Sequence, residues 1–66
     1  MERQQMIDEI LSFIERHQES YATRSICRQL IGDYPEKMTS ETLYWLKKSL
    51  EKADHQEIEG YYYLVM

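Results

Sequence analysis

The chain has 66 residues, a net charge of −4 and one cysteine, Cys27; this puts it near the lower size limit for an unstapled hydrophobic core and excludes an intrachain disulfide or a cysteine-rich zinc site. Its 42% apolar content is ordinary for a globular chain, but no apolar run approaches the roughly 18 residues of a membrane span. The opening MERQQMIDEI lacks the basic-then-apolar order of a signal peptide. These features predict a cytoplasmic chain forming a single domain over residues 1–66, with no membrane partner.

Charge is unevenly spread. Residues 1–20 set Arg3 and Arg16 against Glu2, Asp8, Glu9, Glu15 and Glu19, a net −3. Residues 21–52 set Arg24, Arg28, Lys37, Lys47, Lys48 and Lys52 against Asp33, Glu36, Glu41 and Glu51, a net +2. Residues 53–66 add Asp54, Glu57 and Glu59, a further −3. A mildly basic centre therefore lies between two acidic ends.

In chain order, RQQMIDEILSFIERH places Met6, Ile7, Ile10, Leu11, Phe13, Ile14 and His17 at spacings of three and four, which predicts an amphipathic helix. ESYA is a candidate short strand with Tyr21 facing inward. TRSICRQLIG predicts a short second helix: Thr23 can cap it, Ile26, Cys27, Leu30 and Ile31 share a face, and Gly32 suits the left-handed position after the last turn. In DYPEKM, Pro35 holds Tyr34 out of the helical region and makes a connection. Thr39 or Ser40 then starts a third helix, with Leu43, Leu46, Leu50 and Ala53 inward and Trp45 and Ser49 at the edge. Its opposite arc carries Glu41, Tyr44, Lys47, Lys48, Glu51 and Lys52.

The closing EIEGYYYLVM is rich in strand formers, Ile58 and then Tyr61, Tyr62, Tyr63, Leu64 and Val65, around Glu59 and Gly60. It predicts a β-hairpin. If Tyr62 and Leu64 face the core, Tyr61, Tyr63 and Val65 lie outside; the opposite register is equally open. An aromatic edge without a charged residue to blunt it invites a partner, and homodimerisation by edge pairing would cover it.

With YATRSICRQLIG as the first helix of a pair, MTSETLYWLKKSLEKA as the second and QEIEGYYYLV as the wing, nearly the whole chain resembles the winged helix-turn-helix family. The resemblance implies an α+β fold, a small winged helix of three helices plus a C-terminal β-hairpin. It also implies a DNA-binding regulator of transcription of prokaryotic or phage type, acting as a dimer with the third helix in the major groove of double-stranded DNA. Carried onto this sequence, Ser40, Glu41, Tyr44, Lys47 and Lys48 would read bases and hold phosphates, and Arg24 and Arg28 would hold the backbone. The hairpin departs from that pattern. It has Glu57 and Glu59 and no basic residue, so a basic-wing mode is excluded.

The alternative is an acidic winged-helix protein-interaction module, or an inhibitor mimicking nucleic acid, docking through the tyrosine-bearing hairpin, with Tyr61, Tyr63 and Val65 outward, and the first helix. Both readings are of a non-enzyme. Gly32 and Gly60 stand alone, so no phosphate loop exists, and His17, Cys27 and His55 have no metal-ligand spacing. Neither a cofactor nor a catalytic residue is expected.

Overall fold

The computed structural model describes residues 2–33 and 37–66. Four helices follow one another: α1 (Arg3–Arg16), α2 (Tyr21–Ile31), α3 (Ser40–Lys52) and α4 (His55–Val65). Each contributes apolar side chains to one core: Met6, Ile7, Ile10 and Ile14 from α1, Ile26 and Cys27 from α2, Leu46 and Leu50 from α3, Ile58 and Tyr61 from α4. α1 packs against α4 and α3, and α2 closes the other side against α3 and α4.

The α+β expectation of three helices plus a C-terminal β-hairpin is thus corrected. Among the described residues there is no strand and no wing, and the tyrosine run is helical. Two features of the sequence permit a helix here, and burial selects it. Asp54 caps α4, its Oδ1 accepting from the Glu57 N–H at 2.8 Å, and Glu57 falls at the third helical position, where a capping-box acid belongs. Ile58, Tyr61, Tyr62 and Val65 then recur at spacings of three, four and seven, so one face reaches the core. A lone two-stranded hairpin is marginal in water, whereas a helix here satisfies its own backbone and buries that face. Burial overrides the strand preference of tyrosine and valine.

The other boundaries follow from caps. Ser20, rather than Thr23, caps α2: Ser20 Oγ accepts from the Thr23 N–H at 3.2 Å. Thr23 is instead buried, and its hydroxyl donates to the His17 carbonyl at 2.6 Å. The expected ESYA strand is therefore absent, and Tyr21 opens α2 pointing into solvent. Gly32 ends α2 at φ 80°, a left-handed position that costs glycine little. Thr39 caps α3. The bend expected at Tyr34 and Pro35 lies outside the described residues.

Arg3 joins the first helix to the end of the third. One of its guanidinium nitrogens donates to the carbonyls of Leu50, Glu51 and Ala53. The Leu50 carbonyl already accepts from the Ala53 N–H, and Arg3 adds a donor to it and to the two carbonyls beyond it, where a cation also meets the negative end of the helix dipole.

Candidate interaction surface

The outward arc of α3 holds the residues that the winged-helix resemblance expects to contact DNA, and Ser40, Glu41, Tyr44, Lys47 and Lys48 are all exposed there. Tyr44 and Trp45 dominate this side. They remain 52% and 55% exposed and meet edge to face, ring centroids 5.4 Å apart. Lys48 Nζ stands 5.4 Å from the Tyr44 ring centroid and 3.7 Å from Glu51 Oε1. Its charge is thereby shared between an aromatic face and a carboxylate.

Beside Trp45 lies an open concavity of about 360 Å³, lined by Ile31 from the end of α2 and by Thr39, Glu41, Thr42, Trp45 and Ser49. The caps place it. Gly32 stops α2 just beyond Ile31, and Thr39 starts α3, with its hydroxyl 3.1 Å from that of Thr42. Tryptophan rarely stays half in water without a polar reason, and a contiguous apolar patch is more informative than a single exposed ring.

Arg24 and Arg28 are exposed on α2 but do not join this site. They line a separate concavity with Tyr21, Ser25 and Gln29, to which α3 contributes nothing. The cations expected to act together on DNA are thus divided between two surfaces.

The proposed interface residues separate as well. Tyr61 is buried in the core, Val65 is partly buried against it, and of the three only Tyr63 stands well out, at 68% exposure. Alternation of faces belongs to a strand; on a helix Tyr61 and Tyr63 point about 200° apart. Edge pairing has no edge to use among the described residues.

Trp45 and Ile31 are the surface residues that sequence reasoning undervalued. Trp45 was assigned to the rim of the apolar stripe, and Ile31 to the inward face of α2. A usable signal was present: Trp45 sits about 100° from Leu46 around the helix, too far to share its burial.

No protein-family model, curated protein or solved structure matches the chain. No helix among the described residues is long and apolar enough to cross a membrane.

Proposed function

We propose that this chain is a non-catalytic protein-interaction module that captures its partner on the Tyr44–Trp45 face of α3. The observation that carries this reading is the half-exposed aromatic pair, of which Trp45 lines a concavity together with Ile31. Tryptophan and tyrosine supply much of the energy of protein interfaces because they bury a large rigid area for little entropy, and they do so best next to a pocket. The charge around them selects the partner. Lys47 and Lys48 are exposed on the same helix, in the segment that carries +2 on a chain of −4. A partner that inserts an apolar side chain beside Glu41 and sets a carboxylate toward the exposed Lys47 fits this surface.

DNA contact by the same helix is less well supported. Affinity for DNA rests on neutralised phosphates; Lys48 is already shared with Glu51, Glu41 lies on the same arc, and the two arginines face elsewhere. Cys27 is disfavoured as a nucleophile, because it is sealed in the core and burial pushes its thiol up, away from the reactive thiolate.

Trp45 is the chain's one tryptophan, so its fluorescence reports on this face directly. A displayed library of random peptides about 15 residues long, some four helical turns, selected on the wild-type chain, is expected to return acidic sequences with an apolar anchor. They should shift Trp45 emission and lose at least about tenfold in affinity, or ~1.4 kcal/mol, to Tyr44→Ala. Peptides that bind without moving the emission would overturn the assignment. So would salt-sensitive binding to random duplex DNA that Lys47→Ala/Lys48→Ala abolishes.

A further inference from the structure

A second surface lies on α2 and α4. On α2, Tyr21, Arg24, Ser25, Arg28 and Gln29 line an open concavity of about 310 Å³ that contains two guanidinium groups and, among the described residues, no carboxylate. On α4, Glu57, Gly60, Tyr61 and Leu64 line another of about 320 Å³, with a carboxylate and no cation. Gln29 belongs to both linings, so the two halves form one continuous face. Each half also holds an apolar group out in water, Tyr21 at 82% exposure and Leu64 at 48%.

Gly60 marks this face for close approach. It lies within α4, with a φ outside the left-handed region. A Cβ built there would meet nothing within 4 Å. No contact within the chain therefore calls for a glycine, although glycine is a poor helix residue. Its missing side chain leaves room for a group from outside.

We propose that the α2–α4 face is an isologous homodimer interface, each copy's α2 half lying on the other's α4 half, with Arg28 paired to Glu57 of the second copy and Tyr21 seated by its Gly60 and Leu64. A two-fold axis makes every such contact twice, and this face carries both members of each pair: cation and carboxylate, ring and notch. That self-complementarity specifies a second copy rather than an unrelated protein, which would have to supply both charges in the matching order. A weak, specific dimer needs about 600 Å² from each copy, a modest part of the 4590 Å² that the chain exposes. The α3 aromatic face stays free.

Sedimentation equilibrium on the full chain, from about 10 μM to about 1 mM, covers the affinities of an interface this small. A monomer–dimer equilibrium is expected. Arg28→Glu should weaken it at least about tenfold, Glu57→Arg likewise, and the double exchange should restore it to within about threefold. Trp45→Ala should leave it unchanged. Far-UV circular dichroism confirms that each variant is folded; if Glu57→Arg disturbs the first turn of α4, Glu57→Gln replaces it and should weaken the dimer. A monomer at every concentration, a dimer indifferent to Arg28→Glu or Glu57→Gln, or a folded double exchange that fails to recover would each overturn the proposal.

Discussion

Cys27 and Tyr61 enter the core as uncharged groups, and their ionisation is linked to folding. Burial pushes the Cys27 thiol up; burial also raises the Tyr61 phenol, and the nearby Glu57 carboxylate adds to that shift. Both are acids that the folded chain holds protonated where the unfolded chain has begun to release protons. Their contribution to stability is complete below the ordinary thiol range, near about pH 8.5, and is lost as the pH rises through the folded values, with tyrosine following above about pH 10. The urea midpoint measured between about pH 7 and about pH 11 should fall in two overlapping stages. Cys27→Ala should remove the earlier stage and keep the later one, although its midpoint starts lower because it leaves a small void. A flat midpoint in the wild type would show that neither group is sealed.

At the scale of elements, the tyrosine segment is the instructive case. Gly60 reads as a turn residue between two strands, yet it occupies the middle of α4 with open space around its missing side chain. The two structures make opposite predictions for Gly60→Ala. In a tight turn alanine would be strained and stability would fall. In a helix it should gain about 0.5–1 kcal/mol, raising the melting temperature by several degrees for a chain this short. Thermal melts at low protein concentration, where the monomer dominates, read the sign directly. The helices before α4 were legible because their signals agree: amphipathic spacing in α1, a serine or threonine cap at α2 and α3, and Gly32 in the left-handed position after α2. The α2 start was displaced to Thr23 because Ser20 and Thr23 are both good caps, and only the Thr23 bond to the His17 carbonyl shows which is buried.

At the scale of the whole molecule, α4 is what completes the core. Ile58 is fully buried beside the α1 isoleucines, and α4 packs chiefly on α1. A chain this size has a total stability on the order of 5 kcal/mol, and truncating a buried isoleucine to alanine costs about 2–5 kcal/mol. Ile58→Ala should therefore leave the chain largely unfolded or close to its midpoint without denaturant, as read by far-UV circular dichroism, while Tyr63→Ala should be nearly silent. If both variants stay equally folded, the core closes without α4. The acidic ends also take their place at this scale: α1 and α4, which lie together, carry five of the seven carboxylates that fall within helices, while α2 and α3 carry five of the seven helical cations. The chain thus presents surfaces of opposite sign.

The amino-acid sequence alone determined three helices, their inward faces apart from His17 and Ile31, the exposed arc of α3 and the separation of charge, because each rests on spacing or on a cap within a few residues. Only the tertiary structure decided the state of the eleven residues His55–Val65. Tyr61, Tyr62, Tyr63, Leu64 and Val65 prefer a strand locally, while Ile58, Tyr61, Tyr62 and Val65 form a helical stripe, and the choice was made by the groove on α1 into which that stripe fits. The same holds for the surfaces. Trp45 stays in water, and Arg28 shares a face with Glu57 rather than with Lys47, because the angle at which each helix meets its neighbours is set by side-chain packing across the whole core.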